Sequence, residues 1–244
     1  MMICEAKEMV SGLADMLFPV QCATCGDALI GGEGDPFCSD CLSAVSFTTP
    51  PLCTSCGFPF TITQGADHLC EECILASHPF SVARSLGIYE GALLDAIHLF
   101  KYHGKISVGE ALGRMMAQTP YDSLAIGDYS LIIPVPLHPK RLRERGFNQS
   151  LVLARQVSKR FSIPLDFLAL RRTLHTEAQV KLSGRKRRTN VRGAFEVKAR
   201  NRIQGHKIVL IDDVYTTGST AAECSKVLVQ SGAKEVAVLT LARA

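Results

Sequence analysis

Two sets of residues in this chain have the types and spacing that chemistry needs. The first is the string IVLIDDVYTTGST, residues 208–220. An apolar run, Ile208 to Ile211, delivers two adjacent carboxylates, Asp212 and Asp213. Ionised carboxylates only accept hydrogen bonds, so a neighbouring pair suits the vicinal hydroxyls of a sugar. Thr216, Thr217, Ser219 and Thr220 then supply hydroxyl donors, and Gly218 lets the backbone approach a ligand closely. Ala221, Ala222, Val227 and Leu228 continue at helical spacing. A helix starting here would aim unpaired N–H groups and the positive end of its dipole at a phosphate. The pattern predicts a site for a phosphorylated sugar. The plainer alternative is a buried strand running into a helix capped by Asp, Ser or Thr.

The second set is eight of the ten cysteines, arranged as four C-x-x-C pairs: Cys22/Cys25, Cys38/Cys41, Cys53/Cys56 and Cys70/Cys73. The first and third pairs are each followed by glycine, as in a zinc knuckle, and the second and fourth each open a short helical pattern. This spacing predicts structural Cys4 zinc, one ion or two, with sequential pairing; a crossed pairing, first with third and second with fourth, stays open. Four thiolates leave no open coordination position for catalysis. So small a segment has too little apolar bulk to fold unaided, and metal would supply the missing stability. His68 is expected on an exposed loop rather than as a fifth ligand. Residues 22–73 contain no Lys or Arg, which argues against phosphate contact by this module. Cys224, outside the pairs, is expected to be a small buried hydrophobe.

The rest of the chain must position these groups. With 244 residues, 47% apolar, 20% charged and a net charge of +4, the composition is that of an ordinary globular protein. Residues 1–20 carry Met9, Leu13, Met16 and Leu17 at amphipathic helical spacing, and include acids that exclude a secretory signal. No run of 18 apolar residues occurs, so no membrane insertion is expected and the cytoplasm is the default compartment. Three units follow: an amphipathic helix at 1–20, a double Cys4 module at 21–78, and an α/β domain at 79–244. In the last, strands are expected at 82–90, 131–138, 168–172, 194–198, 208–211 and 235–242. Helices are expected at 91–102, 107–118, 148–161 and 219–231. Strands alternating with helices imply a mostly parallel sheet flanked by helices, with ligands at the carboxyl ends of the strands. Between the prolines of 134–136 and the helix at 148, Arg141, Arg143 and Arg145 are expected in an irregular loop. Gly146, Asn148 and Gln149 beside them favour a phosphate clamp over a merely solvated loop.

The string at 208–220 resembles the signature by which type I phosphoribosyltransferases bind phosphoribosyl pyrophosphate (PRPP). That resemblance implies that Asp212 and Asp213 are the catalytic acids holding the ribose 2′ and 3′ hydroxyls, with Val214 and Tyr215 as spacer. It implies that Thr216, Thr217, Gly218, Ser219 and Thr220 cradle the 5′-phosphate, and that the loop Val135, Pro136, Leu137 and His138 holds pyrophosphate. Residues 172–192 match the family's flexible hood, where Thr176, Gln179, Arg187 and Asn190 are the positions of interest. Lys101-Tyr102 resembles a K-Y-x-G element.

With the cysteine module and the segments RLRERGFNQS and LRRTLHTEAQ, the chain is similar over its length to the ComF family. These are zinc-finger-bearing phosphoribosyltransferase homologues linked to natural competence and DNA uptake. The resemblance implies Mg²⁺ arriving with PRPP, and Lys101, Arg141, Arg145, Asn148, Gln149, Gln179 and Arg187 as polar or basic contacts. It implies phosphoribosyl transfer to an unassigned acceptor. The alternative is a non-catalytic module that binds single-stranded DNA or senses PRPP alongside DNA-uptake proteins.

Overall fold

The structure is a computed structural model that describes residues 21–29, 36–61, 65–174 and 191–244. The expected helix at 1–20, and the hood positions Thr176, Gln179, Arg187 and Asn190, lie outside the described residues.

Apolar runs without polar alternation make strands that are buried on both faces, and these assemble as parallel sheets. The chain follows this rule. A four-stranded sheet has the order β1 (Val82–Ile88), β6 (Glu235–Arg243), β5 (Lys207–Tyr215) and β2 (Leu131–Pro134), and every pair is parallel. The strands alternate their side chains between two cores. Val209, Ile211, Ala237 and Leu239 face one side, where they meet Leu93, Ile97 and Phe100 of α3 (Gly91–Tyr102), which follows the short α1 (Ser39–Ser43) and α2 (Glu71–Leu75) of the cysteine module. Leu112 and Met116 of α4 (Ile106–Gln118) and Val152, Leu153 and Val157 of α6 (Gln149–Phe161) complete that layer. Ile208, Leu210, Val236 and Val238 face the other side, against Cys224 and Leu228 of α7 (Ser219–Gln230). A small antiparallel pair, β3 (Leu170–Arg172) and β4 (Phe195–Val197), packs on the same side. Cys224 is fully buried, and that burial drives its thiol well above the ordinary range.

Three elements depart from expectation. The strand expected at 208–211 runs on through both acids to Tyr215. The strand expected at 131–138 stops at Pro134, the last residue in register with β5. Residues 135–138 are a loop, although the Val135 N–H still donates to the Ile211 carbonyl at 2.9 Å. The basic loop is instead a helix, α5 (Pro139–Arg145). Pro139 sits at its first position, where no N–H is needed; the His138 ring nitrogen Nδ1 accepts the Lys140 N–H at 3.2 Å; and Gly146 ends it in the left-handed region at φ 81°. The helix turns by about 100° per residue, so Arg141 and Arg145 share a face and Arg143 does not.

The cysteine module packs along the outer edge of the sheet. Phe47 bridges to Gly87, the Ile88 N–H donates to the Ser46 carbonyl at 2.8 Å, and the Ala83 N–H donates to the Ser55 carbonyl at 2.7 Å. The backbone groups left over on β1 are thereby paired, which blunts an edge strand that would otherwise be exposed. The first half of the module, through Cys22, Ala23, Phe37 and Val45, joins one core; the second half, through Cys53, Cys56 and Cys73, joins the other.

Candidate functional site

The two cysteine groups are Cys22, Cys25, Cys38, Cys41 and Cys53, Cys56, Cys70, Cys73, which is the sequential pairing; the crossed one is not present. Within each group the sulfurs lie within 4.8 Å of one another, and Cys25–Cys38 and Cys56–Cys70 are each 3.7 Å apart. A tetrahedral zinc with Zn–S bonds of about 2.3 Å spaces its sulfurs by about 3.8 Å, so the donor sets fit the ion. Backbone amides support the thiolates: the Cys38 N–H reaches Cys22 Sγ, and the Cys56 and Cys70 N–H groups both reach Cys53 Sγ, each at 3.4 Å. Burial opposes ionisation of Cys22 and Cys53, but backbone amide donors, chiefly those of Cys25 and Cys38 at Cys22 and of Cys70 and Cys56 at Cys53, pull both thiols down to about 6. His68 is exposed, stacked on Phe60 at 3.9 Å, and belongs to neither group.

The second site lies at the carboxyl ends of the strands. A cavity of about 180 Å³ is lined by Asp212, Asp213 and Val214 from β5, Thr216, Gly218, Ser219 and Thr220 beyond it, and the loop Val135 to Leu137. Strand β5 itself continues through both acids to Tyr215, in register with β6 as far as Arg243, so the carboxylates stand on a rigid element. Gly218 lies in the left-handed region at φ 68° and caps α7, which brings the first amides of that helix to the cavity wall. Thr217 and Ser219 pair their hydroxyls at 2.7 Å.

Each acid has a dedicated partner. Lys101 at the end of α3 places Nζ 2.9 Å from Asp213 Oδ2, and Ser150 in the first turn of α6 donates its hydroxyl to Asp212 Oδ1 at 2.9 Å. The Asp213 N–H also donates to Asp212 Oδ1, at 2.9 Å. Enclosure in the site and repulsion from Asp213 push the Asp212 carboxyl up to about 7, against the pull of that N–H, the Ser150 hydroxyl and Lys101. Arg141, Arg145 and Arg172 line the same cavity as the acids. Arg143, on the other face of α5, does not line the cavity. Gln149, at the start of α6, is 1% exposed and lines the cavity, and its Nε2 has no hydrogen-bond partner among the described residues. A buried donor of this kind is unfavourable unless a ligand or water meets it.

The remaining expected residues serve as caps. His138 caps α5, and Asn148 caps α6 by accepting the Ser150 N–H while donating Nδ2 to the Val135 carbonyl at 3.1 Å. Neither lines the cavity, nor does Thr217. Sequence reasoning passed over Ser150 and Arg172. Ser150 carried one signal, its place just inside a helix opened by Asn148; Arg172, at the end of β3, carried none that distinguishes it from Arg171.

Two family descriptions match the chain: the double zinc ribbon domain over residues 13–74 and the phosphoribosyl transferase domain over residues 148–244. The chain is 35% identical over 210 residues to the DNA utilization protein YhgH of Escherichia coli O157:H7, covering 84% of this chain and 89% of the relative. It is 33% identical over 233 residues to competence protein F of Haemophilus influenzae, covering 93% and 98%. The chain belongs to the ComF family. A more distant ComF relative, competence protein ComFC of Bacillus subtilis, is 29% identical over 213 residues, covering 84% and 83%. The phosphoribosyl transferase match begins at Asn148, but the sheet also needs β1 and β2, which precede it. Among the described residues no helix is long and apolar enough to cross a membrane.

Proposed function

We propose that this ComF-family protein binds Mg·PRPP in the cavity at the end of β5 and serves as a phosphoribosyltransferase-like component of DNA uptake in the cytoplasm. The observation that carries this reading is that two strand-borne carboxylates, a hydroxyl loop, and Arg141 and Arg145 all line one cavity.

Asp212 Oδ1 and Asp213 Oδ2 are engaged internally, which leaves Asp212 Oδ2 and Asp213 Oδ1 to accept the ribose hydroxyls. The amides at the start of α7 and the hydroxyls of Thr216, Ser219 and Thr220 suit the 5′-phosphate. The loop Val135 to Leu137, the paired arginines and the Gln149 amide suit pyrophosphate. With Lys101 on Asp213 and Ser150 on Asp212, the acids favour a Mg²⁺ held chiefly by PRPP oxygens and waters rather than by protein. Bound there, Mg²⁺ would neutralise pyrophosphate charge.

In transfer, the bond from C1′ to pyrophosphate breaks as the bond from C1′ to the acceptor forms, and the acceptor sheds its proton. Arg141 and Arg145 stabilise the charge that builds on the leaving pyrophosphate. No described side chain is placed as base for the acceptor proton, so the acceptor is unassigned and PRPP sensing without transfer is the companion reading. The relatives' names, DNA utilization protein and competence protein, support a role connected with DNA use and competence; single-stranded DNA and uptake proteins are the partners proposed with it.

Calorimetry of the zinc-loaded chain with Mg·PRPP tests the ligand. Saturable binding that Asp212→Asn weakens at least tenfold is expected; no binding by the unaltered chain overturns the proposal. Pyrophosphate release with candidate acceptors then separates transfer from sensing.

A further inference from the structure

The second Cys4 site and the hydroxyl loop are joined by two side chains, neither of which is a metal ligand. Arg243, the last residue of β6, is 7% exposed. It donates Nη1 to the Cys56 carbonyl at 2.6 Å and Nη2 to Cys56 Sγ at 3.4 Å. Its guanidinium lies over the Tyr215 ring, 4.6 Å from the centroid, and over the Phe58 ring of the ribbon, 5.3 Å from the centroid. Tyr215 is the last residue of β5, in register with Arg243, and its carbonyl accepts the Ala244 N–H at 2.9 Å. Phe80 packs edge-on against its ring at 6.4 Å. The Tyr215 hydroxyl abuts Gly218 so closely that a Cβ there would collide with it. Gly218 in turn carries the left-handed turn that starts α7.

We infer that Arg243 and Tyr215 are positioning residues: the metal-loaded second ribbon holds Arg243, Arg243 holds the Tyr215 ring, and the ring sets Gly218 and the loop 216–220. Three observations favour this role over ordinary core packing. A zinc-bound Cys56 is a thiolate, so its contact with the buried Arg243 guanidinium is charge-assisted. The planar fork fits a carbonyl and a sulfur on one edge while its face stacks on an aromatic ring, a combination that Lys cannot reproduce. Arg243 does not line the cavity whereas Tyr215, on which it stacks, does, so Tyr215 is the contact that links Arg243 to the site. Arg84 makes the contrast. It is also buried against the same ribbon, bonding the Cys53 carbonyl at 3.4 Å, but its Nε reaches the Asp122 carbonyl at 2.7 Å and among the described residues it makes no bond to the loop. Coupling between two sites is reciprocal, so a ligand that orders the loop also tightens the second metal site.

The ligand arm of the test rests on the PRPP reading; the amide-exchange arm does not. Hydrogen exchange by mass spectrometry would be run on the full zinc-loaded chain, on Arg243→Lys and on Tyr215→Leu, with zinc content checked by elemental analysis. Both variants are expected to keep their zinc, to exchange over 216–222 at least threefold faster than the unaltered chain, and to leave 236–241 unchanged. In the unaltered chain, Mg·PRPP is expected to slow alkylation of Cys56 and Cys70 under chelator severalfold without protecting Cys25 or Cys38, and Arg243→Lys to abolish that protection. If Mg·PRPP does not bind at all, the PRPP reading fails and the exchange result alone decides the role of Arg243 and Tyr215. Should Arg243→Lys lose zinc or fail to fold, Tyr215→Leu decides. Exchange over 216–222 in Tyr215→Leu equal to that of the unaltered chain overturns the inference.

Discussion

Ser150 donates its hydroxyl to Asp212 across 2.9 Å, joining the first turn of α6 to the end of β5 over 62 residues of sequence. This bond favours the ionised carboxylate against the burial that opposes it. Ser150→Ala is therefore expected to raise the Asp212 pKa further and to weaken Mg·PRPP about tenfold near pH 7. The loss should shrink as pH rises towards 9. A pH-independent loss measured by calorimetry would point to steric damage instead.

Asp212 titrates at about 7 in the free site, whereas accepting ribose hydroxyls requires the ionised form. Binding should thus release close to one proton from Asp212 at pH 6 and almost none at pH 8.5. Calorimetry in buffers of different ionisation enthalpy reads this release, and Asp212→Asn should remove it. The sign for folding follows from the same raised value. The stability contributed by the tightly held proton is complete below about 4, the ordinary carboxylate range, and is lost as pH rises through about 7. Asp212→Asn should accordingly raise the melting temperature more at pH 8.5 than at pH 5.

Helix α5 sorts its arginines. Arg141→Ala and Arg145→Ala are each expected to weaken Mg·PRPP about tenfold, the order of one charge-assisted contact, and to spare ribose 5-phosphate, which lacks pyrophosphate. Arg143→Ala should leave both affinities unchanged. Equal effects at all three positions would mean general electrostatic attraction, which a steep salt dependence would reveal.

Elemental analysis of reduced protein should find two zinc ions per chain. The ribbon halves supply buried residues to both cores, so chelation is expected to lower the melting temperature of the whole chain rather than release a separate module. Two well-separated transitions with the second unchanged by chelator would contradict this.

Much of the fold was legible because the informative residues are local. Helix α3 spans the predicted 91–102, and the apolar runs at 208–211 and 235–242 became the two central strands. Runs buried on both faces carry their own signal. The basic turn misled because three arginines outweighed its quieter helix signals, Pro139 at the start and Gly146 at the end. Val135, Pro136 and Leu137 are as apolar as the residues before Pro134, so the apolar pattern does not mark the strand's end, which the register with β5 sets at Pro134.

By itself the sequence determined the chemistry on offer: eight thiols in pairs whose spacing suits tetrahedral metal, two adjacent acids on an apolar strand, and a hydroxyl loop at a helix start. These follow from composition and spacing within a few residues. Only the tertiary structure decided which groups meet. It chose the sequential cysteine pairing, set Lys101 on Asp213 and Ser150 on Asp212, turned Arg141 and Arg145 but not Arg143 to the cavity, and laid Arg243 between Cys56 and Tyr215. Those contacts span from 62 to 187 residues in the cases of Ser150–Asp212 and Cys56–Arg243, and no local pattern encodes them. They arise because a parallel sheet brings the carboxyl ends of distant strands to one edge, where helix starts and the ribbon converge.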